Sequence, residues 1–307
     1  MGLSLMFGMM NAMRIEVGLG AACVGKRGYL EALLYAQERV QGGKAIIEHA
    51  DVKRMLLQQK AYAEGAYALC MHAASLHEQA AGGDANAASL LDVSTEIVKS
   101  WPSEWCLEGN KLAIQVLGGA GYVADYPAEQ LYRDNRLNMI HEGTAGIHAL
   151  TLLGRKVQGG RAKPLFAAML EAADEADALC AAGTDAEHTG QILREGAASL
   201  RRAVECAEEV TETLTALDDR NLALTNAHEY LTLMGHTCVA WMWLRSASAA
   251  ARGLSVGADD ADEEAFYRGK LHTCAFFFRH ELPKAEASAA LLLSLDVTVT
   301  EMEPGWF

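Results

Sequence analysis

The sequence predicts an all-α chain, an up-and-down helical bundle followed by a second, smaller helical bundle. Three observations carry this. Of the 307 residues 51% are apolar but only 7% aromatic, and the apolar share is largely Ala, Leu and Met, which favour helix. The five prolines stand at 102, 127, 164, 283 and 304, so the first hundred residues hold no strong helix breaker. No run of alternating Val, Ile and Thr is long enough to demand a sheet. The 28 glycines run the other way, since some must lie inside helices.

Residues 4–41 read as one long helix. Leu5, Met9, Ala12, Ile15, Leu19, Cys23 and Leu30 recur mostly at three- and four-residue steps, and Gly42-Gly43 ends the run. Its start, 3–13, reads as a buried helical segment: it lacks a basic n-region and is too short to span a bilayer. A second helix covers 49–81, with Val52, Leu56, Tyr62, Ala66, Leu69, Ala73 and Leu76 as its stripe. A third runs from 86 to 117, with a kink expected at Trp101-Pro102, and Gly118-Gly119-Ala120-Gly121 breaks it. A shorter helix over 127–137 is entered through Pro127. A loop then carries Glu142, and a helix starts near Thr144 and runs to about 158. Long helices on short turns favour an antiparallel bundle over 1–158. The stretch from Gln158 to Pro164 is the natural boundary. A second domain over 164–294 has helices at 164–182, 188–217, 221–253, 261–281 and 284–294, with a polar loop at 253–262 and an extended or frayed tail from 295.

The net charge of −14 is uneven. Residues 1–158 hold 14 basic against 16 acidic residues, the remainder 12 against 24. This balance argues against nucleic-acid binding and against docking on anionic membranes. Seven scattered cysteines without a Cys-x-x-Cys pair read as small hydrophobes in a reducing, cytoplasmic setting. Gly18-Leu19-Gly20 with Gly25 is no dinucleotide fingerprint, because no strand precedes it. His141 and His148 are not completed into a metal set at ligand spacing, so no metal is expected. Phe276, Phe277 and Phe278 read as core, and the acidic cluster at 259–264 as a solvated helix start.

Three segments carry chemistry. Residues 139–148, Met-Ile-His-Glu-Gly-Thr-Ala-Gly-Ile-His, set one carboxylate against a Gly-Thr step. Upstream stand Gln-Val-Leu-Gly-Gly-Ala-Gly-Tyr at 115–122, and Glu38-Arg39-Val40-Gln41-Gly42 with His49 ten residues beyond Arg39. On spacing alone, Glu142 reads as a carboxylate stabilising a helix start, worth about 0.3–1 kcal/mol. Gly118-Gly119 alone reads as a helix C-cap. Arg39 alone reads as a helix-end Arg set against the dipole, and His49 as a structural histidine.

In this order and at these separations, the three segments resemble the C-terminal helical domain of the flavin-dependent acyl-CoA dehydrogenases. Tyr230-Leu231, Gly235-His236, Trp241-Met242-Trp243, the run from Phe266 to Lys270 and Leu282-Pro283 resemble, more loosely, the extra helical domain of an enlarged subgroup. That subgroup includes enzymes acting on methylthio-substituted propionyl-CoA. The resemblance implies α,β-dehydrogenation of an acyl-CoA, with Glu142 as α-proton base and Gly143 and Arg14 at the substrate. An ion pair of Arg14 with Glu16 or Asp134 is the alternative for that residue. It also implies FAD as cofactor, touched by Arg39, Gln41, His49, Gln115, Gly118, Gly119 and Thr144, often across a subunit interface. The implied partners are an electron-transfer flavoprotein-like acceptor and copies of the same chain, as homodimer or homotetramer.

Departures from the family pattern are His141 for a common Tyr, Gly146 for Gln, Gln41 for Thr or Ser, Gly42 for Phe and Ala50 for Gln. Relatives also carry an N-terminal helical domain and a middle β-domain. The reading therefore expects a fragment or one product of a split gene, with a separate chain supplying those domains. Alone, it should bind FAD weakly and turn over little. It further expects Glu142 to project into a cleft. The rival is a non-catalytic helical assembly module of the same fold.

Overall fold

The structure, a computed structural model, describes residues 2–181 and 187–307, and the side chains of the first helix from Met9 onward. It is helical almost throughout, in two compact units. One comprises residues 1–84 and 98–144, the other 85–97 and 145–307.

In the first unit, α1 (Gly2–Glu38) packs on α2 (Ala50–Ala81) and on α5 (Ala128–Asn138). Helix α3 (Ala85–Leu117) starts in the second unit and ends in the first. The α2 stripe is buried from Leu56 through Leu76, with Val52 half-buried. The α1 stripe differs from expectation. Met9 and Leu30 are exposed, as is Cys23, and of the seven only Ile15 is buried among the described side chains; Leu5 lies outside them. The buried face is instead Val17, Gly18, Ala21, Ala22, Gly25, Gly28, Ala32 and Ala36.

The reason is close helix approach. A Cβ on Gly18 would stand 2.1 Å from the Val98 carbonyl oxygen, one on Gly25 2.7 Å from Cys106 Cβ, and one on Gly28 2.3 Å from Asn110 Nδ2. Of the glycines that mimic part of a nucleotide fingerprint, Gly18 and Gly25 thus belong to a packing seam against α3, while Gly20 is exposed. Pro102 does not break α3, which continues through it. Proline lacks the N–H that would bond the Val98 carbonyl one turn earlier, and that is the carbonyl Gly18 approaches.

Helix α1 stops at Glu38, three residues before the expected end. The next residues form a small antiparallel hairpin, β1 (Val40–Gln41) with β2 (Lys44–Ala45). Gly42 and Gly43 both take positive φ, 66° and 82°, as a two-residue turn of this kind requires. Gly-Gly here closes a hairpin and does not cap the helix.

In the second unit, α10 (Ala227–Val256) is the central helix. It packs on α7 (Lys163–Ala181), α8 (Glu187–Thr215), α11 (Ala261–Phe276) and α12 (Pro283–Leu293), and Leu233, Met234, His236, Val239, Ala240 and Leu244 are fully buried along it. The expected helix over 221–253 is divided. Asp219 caps the short α9 (Arg220–Leu224) by accepting from the Asn221 and Leu222 amides, and Asn226 donates its side-chain amide to the Asp296 carbonyl. Helix α10 extends to Val256, so the expected polar loop shrinks to the few residues before Asp260, which caps α11. The helix expected to reach 158 ends as α6 (Ala145–Thr151) and passes into a π-turn, Leu152–Lys156. Phe276, Phe277 and Phe278 are buried. The tail, expected extended or frayed, carries two short helical turns, α13 (Thr298–Glu301) and a 3-10 turn at Pro304–Trp306. Residue 182, placed in a helix by the sequence, lies outside the described residues.

Two polar pairs in this unit, one a hydrogen bond to an imidazole and one an ion pair, join α3 to the segment after Thr144. Glu96 meets His148, both fully buried, and Asp92 meets Lys156. Among the described residues no helix is long and apolar enough to cross a membrane.

Candidate active site

One cavity of the first unit, about 840 Å³, gathers residues from two distant segments. From the end of α1 and the hairpin come Tyr35, Arg39, Gln41, Gly42, Ile46 and His49. From the end of α3 and beyond come Gln115, Gly118, Gly119, Ala120 and Tyr126. Of its lining, Ile46, Met55, Val116 and Leu117 belong to a small buried apolar cluster.

The local geometry follows from the residue types. The Ile46 amide donates to the Arg39 carbonyl at 2.8 Å, which closes the base of the hairpin. His49 Nε2 bonds the Gln41 carbonyl at 3.0 Å and lies over Gly42, where a Cβ would be 3.4 Å from its ring. His49 therefore holds the hairpin. The Arg39 guanidinium is exposed and has no ion-pair partner among the described residues. Gly118 takes φ 61° and ψ −135°, a conformation open to glycine. No atom lies within 4 Å of where a Cβ would stand on Gly118 or Gly119, so their backbone is open to the cavity. Gln115 is exposed beside them. Tyr35 and Tyr126 meet edge-to-face, centroids 5.8 Å apart, on the cavity wall.

Six sequence-predicted residues, Arg39, Gln41, His49, Gln115, Gly118 and Gly119, are thus brought together. Arg14, Glu142, Gly143 and Thr144 are not in this cavity. Arg14 is buried on α1. Thr144 is exposed at the end of the turn that carries Glu142.

Glu142 is exposed on this unit. The backbone around it is well defined. Glu142 has φ 54° and Gly143 φ 95°, and Glu142 is one of two non-glycine residues with positive φ among those described. On one side, His141 Nε2 contacts Asn138 Oδ1 at 3.2 Å. Asn138 donates to Asn135 at 2.9 Å, and Asn135 donates to Asn110 at 2.6 Å and to the Ala21 carbonyl at 3.3 Å. Asn110 donates to the Val24 carbonyl at 3.2 Å. On the other side, Lys99 Nζ donates to the Gly143 carbonyl at 2.6 Å. Lys99 is 1% exposed.

The sequence reading missed Tyr35, Tyr126, Lys99 and the three asparagines. Tyr35 was legible, four residues before Arg39, whose amide donates to the Tyr35 carbonyl at the end of α1. The asparagines and Lys99 show only as polar residues at buried helical positions.

Comparison with known proteins gives the family. The family described as acyl-CoA dehydrogenase, C-terminal domain, matches residues 1–157, and that described as acetyl-CoA dehydrogenase C-terminal like matches residues 165–303. The chain is 34% identical over 301 residues to 3-methylmercaptopropionyl-CoA dehydrogenase of Ruegeria pomeroyi, covering 93% of this chain and 49% of that protein. It is 30% identical over 328 residues to the broad-specificity linear acyl-CoA dehydrogenase FadE5 of Mycobacterium tuberculosis, covering 100% and 53%. The chain therefore spans about half the length of these curated relatives. Its fold matches that of an acyl-CoA dehydrogenase from Bacillus anthracis solved with FAD, with a TM-score of 0.66 at 17% identity over 97% of this chain and 53% of that one. With its first 157 residues matched as that C-terminal domain and its length aligned to these enzymes, the chain belongs to the acyl-CoA dehydrogenase family.

Proposed function

We propose that this chain is the C-terminal half of an FAD-dependent acyl-CoA dehydrogenase of the enlarged subgroup, its two helical domains meeting at residues 158–164. The observation that supports it best is the convergence of Arg39, Gln41 and His49 with Gln115, Gly118 and Gly119 on one cavity. Its volume is that of a small-molecule site. The Gly118 amide is taken by the Gln115 carbonyl, but an exposed guanidinium beside glycine backbone that no side chain covers suits a diphosphate, which takes charged forks and close backbone approach. Tyr35 and Tyr126 offer aromatic edges for the adenine end. When bound, FAD supplies the acceptor for the hydride lost from the substrate's β-carbon.

The chain's own residue for the chemistry is Glu142. Its carboxylate takes the α-proton of the acyl thioester, and the C–H bonding pair becomes part of the new Cα=Cβ bond of a 2,3-enoyl thioester. A thioester α-carbon is a weak acid, so the base must be positioned and the thioester oxygen hydrogen-bonded. The exposed face carrying Glu142 becomes the wall of that cleft in the whole enzyme, with Gly143 and Arg14 on the substrate's side and Thr144 at the flavin. Electrons leave to a flavoprotein acceptor, and the enzyme works as a dimer or tetramer.

The test is turnover of acyl-CoA by the FAD-loaded enzyme, wild type against Glu142→Gln. A loss of about 10²–10⁴-fold with flavin retained is expected for removal of a general base. Unchanged turnover would instead leave a helical assembly module that uses neither base nor cofactor.

A further inference from the structure

We propose that Lys99 is the positioning residue for the base, holding the Glu142–Gly143 turn in the one backbone conformation that aims the carboxylate. This rests on the role proposed for Glu142. The geometry begins with burial. A lysine at 1% exposure must spend its side-chain nitrogen on hydrogen bonds. Nζ reaches 44 residues along the chain to the Gly143 carbonyl, at 2.6 Å.

That carbonyl belongs to the residue directly after the base. The turn it anchors is unfavourable by itself. Glu142 sits at φ 54°, where a side chain with a Cβ is disfavoured, and Gly143 follows at φ 95°. Such conformations persist where surrounding structure over-determines them. Two tethers do so here. Lys99 fixes the backbone after Glu142, and the Asn138–Asn135–Asn110 relay, through His141, fixes it before. Without the Lys99 bond, Glu142 relaxes towards extended backbone and its carboxylate turns away from the line of proton transfer. Lys99 is itself too deeply buried to touch a substrate, so it acts through the turn.

The experiment compares wild type, Lys99→Met, Lys99→Arg and Glu142→Gln. In the purified chain, Lys99→Met should speed hydrogen–deuterium exchange over residues 139–146 while the rest of the first unit keeps its protection. In the FAD-loaded enzyme it should lower kcat about 100-fold, the scale of a misplaced catalytic group, and leave KM within about threefold. The isotope effect with α-deuterated substrate should rise, because proton removal has become slower. Lys99→Arg, which keeps N–H donors, should recover part of kcat.

Folded Lys99→Met protein with unchanged exchange at 139–146 and unchanged kcat would overturn the proposal. If Lys99→Met does not fold, wild-type NMR decides. A scalar coupling across the hydrogen bond from Lys99 Nζ to the Gly143 carbonyl carbon supports the clamp, and a rapidly exchanging, uncoupled Nζ overturns it. If Glu142→Gln keeps full turnover, the base assignment fails by itself, and the exchange data still report on the clamp.

Discussion

Gly18→Ala tests whether the α1–α3 seam is as tight as its small residues imply. The added Cβ would lie 2.1 Å from the Val98 carbonyl oxygen, 3.1 Å from its carbonyl carbon and 3.2 Å from Cys70 Sγ. A carbon–oxygen contact normally stands at about 3.3 Å or more, so backbones must part by roughly 1 Å. Alanine has no rotamer by which to escape, and the obstacle is backbone. Overpacking of this kind costs about 1–3 kcal/mol, and the upper end applies where backbone meets backbone. Alanine in a helix regains about 1 kcal/mol over glycine. The net loss is then about 2 kcal/mol, or a fall in Tm of roughly 4–8 °C at 2–4 °C per kcal/mol. Gly20, two residues away, has no atom within 4 Å of its Cβ position. Gly20→Ala should therefore gain about 1 kcal/mol. Thermal melts by far-UV circular dichroism, with denaturant titration as a check on the slope, measure both. A Gly18→Ala chain melting at or above wild type would refute the seam.

Other outcomes follow from the same structure. Burial drives the His236 imidazole down to about 4, the Thr232 carbonyl bond opposing and Lys284 adding to the shift. Between pH 6.5 and about 4 the unfolded chain binds a proton that the folded chain does not. Stability should therefore fall as pH falls, by about 1.4 kcal/mol per pH unit; a His236→Gln chain should show a flatter Tm profile in that window, and an equally steep one would exclude His236. Glu96→Ala should cost about 1–3 kcal/mol, because it removes the Glu96–His148 hydrogen bond from a fully buried site. Lys156→Met, breaking a pair whose Asp92 is 41% exposed, should cost at most about 1 kcal/mol by the same denaturant titration. Arg39→Met should weaken FAD binding by about 1.5–3 kcal/mol, the worth of a charged hydrogen bond, read by flavin fluorescence on titration; unaltered affinity would move the diphosphate elsewhere.

The helical class, the long first three helices and the residues that meet at the cavity were legible in the sequence. Helix periodicity and the glycine breaks are local properties, and the Arg39, Gln115 and Glu142 segments stand at the family's separations. The faces of α1 were not legible. Its apolar stripe suggests Met9 and Leu30 as core, whereas the packed face is Gly and Ala, because close approach of two helices selects small side chains over large ones. Gly42-Gly43 was ambiguous for the same kind of reason: positive φ serves a helix cap and a hairpin equally, and only the pairing of Gln41 with Lys44 selects the hairpin.

By itself the sequence determined the helical class and the family, and it named the side chains proposed to meet a phosphate or a proton. The tertiary structure alone decided that Lys99, 43 residues before Glu142 in the numbering, bonds the carbonyl beside it, and that three asparagines hold the turn's other flank. Such contacts join residues distant along the chain, where hydrogen-bond geometry depends on the packing of whole helices and leaves no periodic trace in the order of residues.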